Sequence, residues 1–125
     1  MYKITVDHKK EIIFYTHSGT IPRKEIGEAW AELLLMDEFV KLKYNLLSDY
    51  RNSLFDFEVD DTDMVWDYFY SIREILKGKK EAVITDNPLT TAISSLFEND
   101  SCVKIGFEVK VFTTEKSAIK WLEKG

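Results

Sequence analysis

Polar and apolar residues alternate with period two from Tyr2 to Val6 and again from Glu11 to His17, on either side of the polar turn Asp7-His8-Lys9-Lys10. That pattern predicts a β-hairpin. From Pro22 the period changes. Ile26, Ala29, Trp30, Leu33 and Leu34 recur at helical spacing, and Pro22, which has no amide hydrogen to lose, suits the opening of a helix expected to end near Asp37. Leu42 to Leu47 is a short apolar run closed by Ser48-Asp49, as expected of a strand buried on both faces. Val65, Phe69, Ile72 and Leu76 trace one side of a second helix that stops at Lys77-Gly78. A strand around Ala82-Val83-Ile84 follows, spanning Lys80 to Thr85. Asp86-Asn87-Pro88 then caps a third helix with Leu89, Ala92, Ile93, Leu96 and Phe97 on its apolar face. Val109 to Phe112 predicts the last strand. A final helix opens at Thr113-Thr114-Glu115-Lys116 and carries Ala118, Ile119, Trp121 and Leu122.

The order is β-β-α-β-α-β-α-β-α. Strands joined through a helix lie parallel with right-handed crossovers, whereas a four-residue turn makes its two strands antiparallel. An α/β fold is expected, with a mixed and mostly parallel sheet whose first strand is antiparallel and at one edge. The 125 residues fit one domain, 1–125, with no repeat or linker. The segment from Tyr50 to Asp61 reads as irregular, and it is too acidic and aromatic for a flexible spacer.

Composition narrows the function. Hydrophobic residues make up 45%, which sets disordered and low-complexity classes aside. The 17 basic and 22 acidic side chains are interspersed and give a net charge of -5, which argues against a nucleic-acid partner. The longest apolar run, Leu33 to Met36, is far short of the ~20 residues of a membrane span, and the start of the chain lacks the pattern of a secretory signal, so a cytoplasmic location is expected. The single cysteine, Cys102, has no neighbour for a disulfide or zinc site and no adjacent base to activate it. His8 and His17 stand at opposite ends of one strand, too far apart to share a metal ion, and His8 reads as a turn residue. Five glycines at 19, 27, 78, 106 and 125 lack the spacing of a nucleotide loop. Nothing calls for a cofactor or a metal, and catalysis lacks a nucleophile.

The end of the chain is more specific. A strand ending in Phe112, a short turn, then a helix with Ala118 and a closing Trp121-Leu122 resembles the SpoIIAA-like branch of the STAS superfamily, named for sulfate transporters and anti-sigma-factor antagonists. Asp49 followed by Arg51 is similar to that branch's usual ending to its middle strand. The resemblance implies a STAS-type fold and a regulatory role through a protein partner; either a monomer or a homodimer is compatible with the sequence. In its antagonist members a serine opening the helix after the middle strand is phosphorylated. Here Thr62 is the only hydroxyl in the matching place. It lacks the following Ser-Gly, and Glu58, Asp60, Asp61 and Asp63 would repel a phosphate of about two negative charges. Capping of a helix among acids is the simpler role for Thr62 or Asp61, and phosphorylation is not expected.

In an open α/β sheet, ligands gather at the carboxyl ends of the parallel strands. His17-Ser18-Gly19, Ser48 to Ser53 and Thr85-Asp86-Asn87 should share that rim. Asp49, Arg51, Asn52 and Ser53 concentrate polar groups there, and Arg51 either clamps an anion or pairs with Asp49. A response-regulator receiver would also place an Asp at position 49 and a hydroxyl at Thr85. It needs an acidic pair after the first strand, where Tyr15-Thr16-His17-Ser18 stand, and a Lys-Pro where Thr113-Thr114 stand, so this reading is disfavoured. Aromatic residues are abundant at Tyr50, Phe55 and Phe57 and on the second helix at Trp66, Tyr68, Phe69 and Tyr70. With Phe69 facing the sheet, Trp66 and Tyr70 fall on an adjoining face that could cover the long loop, meet a protein or line an apolar pocket. A non-enzymatic protein-interaction module acting through Asp49 to Asp61 and the helix after it is therefore expected first. The runner-up is a carrier or sensor of a small lipid-like molecule, a ligand class that the resemblance also implies.

Overall fold

The computed structural model of the protein describes residues 1–56 and 62–124, with the side chains of residues 62, 89, 97 and 99–103 outside the description. The expectation for the Cys102 thiol therefore lies outside the described residues.

The hairpin forms as its alternation predicts. β1 (Tyr2–Asp7) pairs antiparallel with β2 (Ile12–His17), and the Asp7 carboxylate closes the turn by accepting the amides of Lys9 and Lys10. β4 (Asn45–Asp49), β6 (Lys80–Ile84) and β7 (Glu108–Phe112) then add in parallel, giving a five-stranded sheet in the order β1-β2-β4-β6-β7. Among the described residues, the one antiparallel pair of that sheet lies at its edge, as expected.

This order also explains the layers. Strands are laid down in one direction across the sheet, so right-handed crossovers place every connecting helix on one face. α1 (Arg23–Leu33), α3 (Thr62–Ser71) and α5 (Pro88–Ile105) cover that face, over a core that includes Ile13, Tyr15, Leu46, Val83 and Val109. Among the described residues, α6 (Glu115–Glu123) alone covers the other, packing Ala118 and Leu122 on Ile12, Leu47, Ala82 and Ile84. The Thr114 hydroxyl caps it by accepting the Ser117 amide at 3.3 Å, and Asn87 caps α5 through the Thr90 amide at 3.2 Å.

Five details depart from the sequence expectations, the first being that α1 ends at Leu33 and not near Asp37. The middle strand begins at Asn45 instead of Leu42, because a short helix, α2 (Asp37–Val40), buries Phe39 and leaves Leu42 exposed. Lys43, at φ 57°, then turns the chain into the strand. α2 is held down by the buried Lys79, whose amine donates to the Phe39 carbonyl and lies 4.3 Å from that residue's ring. Burial lowers this amine to about 8. The second helix is broken at Ile72, so that α4 (Arg73–Leu76) follows α3 as a separate turn. The third helix runs to Ile105, well past Phe97. Finally, the segment after Tyr50 is not wholly irregular: β5 (Ser53–Asp56) pairs in parallel with β3 (Gly19–Pro22), forming a two-stranded sheet beyond the rim of the large one.

Candidate functional site

α1 and α3 lie side by side on the covered face, and their facing stripes leave a groove of about 580 Å³. The spacing of the sequence builds it. Arg23, Ile26, Gly27 and Trp30 recur every three or four residues along α1, and Met64, Val65, Tyr68 and Phe69 do so along α3, with Asp56 at one end. Gly27 opens the α1 wall, since a Cβ there would meet nothing within 4 Å. The Trp30 and Phe69 rings, 5.0 Å apart and tilted, lie toward the sheet. The volume is within the ordinary range for small-molecule sites, and the lining is largely apolar with Arg23 and Lys24 at its polar margin.

Beneath the groove, against the sheet, is a second space of about 50 Å³. Ile26, Trp30, Val65 and Phe69 line both. Its remaining walls include Tyr50, Phe55, Val83, Ile93, Ser94 and one carboxyl group, that of Glu81. Along β6, Glu81 shares a face with Val83, and because β6 is an interior strand this face is fully covered. Only 5% of Glu81 is exposed, and the Ser48 hydroxyl on β4 donates to its Oε2 at 2.5 Å. Burial raises the Glu81 carboxyl to about 7, against the pull of the Ser48 hydrogen bond. Burial and the Glu81 charge push the Tyr50 hydroxyl well above its ordinary range. The Tyr15 hydroxyl, fully buried on β2, makes no hydrogen bond among the described residues.

His17 closes this polar seam at the rim. Its ring stacks on Tyr50 at 5.3 Å and its Nδ1 lies 2.7 Å from Glu25 Oε2, while Nε2 is buried without a partner among the described residues. Burial lowers the His17 imidazole, and the Glu25 carboxylate partly offsets this. An Nδ1–H donated to Glu25 leaves Nε2 as a bare acceptor.

The three rim loops come together as the strand ends predict. The Gly19 amide donates to the Asn52 carbonyl at 3.3 Å, and the Asn52 amide donates to the Asp86 carboxylate at 3.1 Å. Asn52 turns the chain at φ 62°. Asp49 accepts from Arg51 Nε at 3.0 Å and Nη2 at 2.7 Å, and from its amide. Burial would raise the Asp49 carboxyl, but these bonds hold it below its ordinary value. The Ser53 hydroxyl donates to the His17 carbonyl at 2.9 Å.

The expected site residues thus divide. Tyr50 and Phe55 meet at 5.0 Å and line the inner space, while Asp49, Arg51, Asn52 and Ser53 bond to one another and to neighbouring loops. Trp66 and Tyr70 line neither the groove nor the inner space. Lys104 sits 5.5 Å from the Trp66 ring and Arg73 sits 4.3 Å from that of Tyr70. Phe57 and the Thr62 hydroxyl lie outside the described residues. Glu81, Gly27 and Glu25 were not singled out by sequence. The available signal was a carboxylate on a strand flanked by helical crossovers, which is buried on both faces.

No protein-family model matches the chain, and no curated protein sequence matches it. Solved structures do. An uncharacterised protein of the DUF3478 family from Shewanella loihica PV-4, described as having a SpoIIAA-like fold, is 14% identical with a TM-score of 0.62, over 98% of this chain and 92% of that one. The chain has the SpoIIAA-like fold. The anti-sigma factor antagonist SpoIIAA in its unphosphorylated form is similar too, at 9% identity and a TM-score of 0.61 over the whole of both chains. At these identities the likeness is one of architecture, so site chemistry has to be argued from this chain's own residues. Among the described residues no group of His, Cys, Asp and Glu is placed to hold a metal ion, and no helix is long and apolar enough to cross a membrane.

Proposed function

We propose that the chain is a non-catalytic, STAS-type regulatory module whose ligand is a small amphipathic molecule held between α1 and α3. The observation that carries this reading is the groove of about 580 Å³, apolar along its walls, with Arg23, Lys24 and Asp56 at its margin. Burial of an alkyl or aryl body there supplies affinity at ~25 cal/mol per Å² of apolar surface removed from water. Protein docking at the rim is a second reading. It is supported by the SpoIIAA neighbour, which is named for antagonism of an anti-sigma factor. Against it, Arg51, Asn52 and Ser53 already bond within the fold.

Gly27 supplies the test. A phenylalanine there would project from a position with open space around its Cβ, filling the groove without meeting the core. Replacing a helical glycine should also leave stability unchanged or raise it by a few tenths of a kcal/mol. With the fluorescent probe anilinonaphthalene sulfonate, saturable one-to-one binding is expected for the natural chain, weakened on the order of 10-fold in Gly27→Phe at unchanged melting temperature. Equal binding by the two proteins would remove the groove from the proposal.

A further inference from the structure

We propose that the inner space is an ammonium site, in which Glu81 holds the head of a primary alkylamine among the rings of Trp30, Tyr50, Phe55 and Phe69 while its chain leads into the α1–α3 groove. The inference rests on the groove being a ligand site and names the class of ligand.

Three observations support it. First, one carboxyl and four aromatic rings line the same space. Aromatic faces attract cations, more strongly where water is excluded, and a carboxylate adds the counter-charge. Second, no Lys, Arg or His lines that space among the described residues, so an anionic head would be set against Glu81 with no compensating charge. Third, the space admits a small polar head, since about 50 Å³ exceeds the ~10–15 Å³ needed to hold one water molecule. Glu81 also has acceptor capacity to offer. Ser48 donates to Oε2, whereas an ionised carboxylate accepts at about four lone-pair sites. The inner space and the groove share the walls Ile26, Trp30, Val65 and Phe69, so the alkyl chain would pass between these side chains.

Binding is then linked to a proton. The groups that face Glu81 are the hydroxyls of Ser48 and Tyr50 from β4 and its continuation, Tyr15 from β2 and Ser94 from α5; α1 and α3 contribute apolar and aromatic side chains. None of these is a cation. With its carboxyl raised to about 7, Glu81 is largely protonated at pH 6, and taking up an ammonium releases that proton.

The experiment compares octylamine, octanol and octanoate by titration calorimetry on the natural chain and on Glu81→Gln. Octylamine should bind at least ~10-fold more tightly than octanol, with octanoate weakest. Its binding enthalpy at pH 6 should vary with the buffer's ionisation enthalpy, reporting close to one proton released. Glu81→Gln should lose on the order of 100-fold for octylamine and little for octanol. Circular dichroism checks that the variant folds. If it does not, the proton release by the natural chain decides alone. Octanol or octanoate binding as well as octylamine, or octylamine binding with no proton release, overturns the ammonium site and leaves the groove standing. Absence of binding by all three overturns both.

Discussion

Glu81 is the residue on which the chemistry of the covered face turns. A carboxyl raised from its ordinary value to about 7 favours the folded state most when protonated. Its contribution is therefore complete below the unfolded value and is lost as pH rises through about 7. A shift of this size corresponds to about 3 kcal/mol, and Glu81→Gln should remove that part of the pH dependence. Chemical denaturation at intervals from pH 4.5 to 8 measures it, and an unchanged slope in the variant would contradict the assignment. His17 works in the opposite sense. Its imidazole is lowered, so its contribution grows as pH rises towards the ordinary histidine value. The natural chain should show a flattened sum of the two, with the histidine's rise exposed in the variant. Composition and periodicity could not bring Glu81 forward, because a single carboxylate beside Lys80 reads as a solvated strand end until the strand is known to be interior. By contrast, the Asp49–Arg51 pair was legible from adjacency alone, and Tyr50 and Phe55 from their excess of aromatic surface.

At the scale of elements, legibility followed length. The long periodic segments formed, from the hairpin to the capped terminal helix, apart from the break at Ile72 in the second helix, since an amphipathic stripe has one favourable way to cover the sheet. The short pieces did not announce themselves. Ser53–Asp56 is only four residues long and pairs with a partner more than thirty positions earlier, so no local rule marks it. The Leu42 start failed because Phe39, a few residues upstream, claimed the buried place. Glycines in this chain show how one residue type serves opposite ends. Gly78 adopts φ +83° after α4, with open space where a Cβ would lie. Gly78→Ala should therefore destabilise by about 1 kcal/mol through backbone conformation alone, read as a lowered melting temperature. Gly27, helical and equally open, should accept a side chain without such a penalty.

For the molecule as a whole, the sheet order and a single antiparallel edge agree with the SpoIIAA-like architecture, and that architecture was legible from element order together with the Phe112 to Leu122 ending. The location of the cavities was not, because it depends on which helices become neighbours, and α1 and α3 are separated in sequence by two strands and α2. The small sheet of Gly19–Pro22 and Ser53–Asp56 carries a consequence of its own. Its strands follow β2 and β4 past the rim, with Gly19 opposite Ser53 just beyond the last β2–β4 pair, Thr16 opposite Asp49. Four residue pairs hold it. It should behave as a latch, closing last in folding and unzipping alone while the five-stranded sheet stays shut. Deuterium uptake under native conditions would show this as earlier labelling of the amides between Gly19 and Asp56 that bridge the latch than of those joining β4 to β6. Matching rates would mean that the two sheets open as one unit.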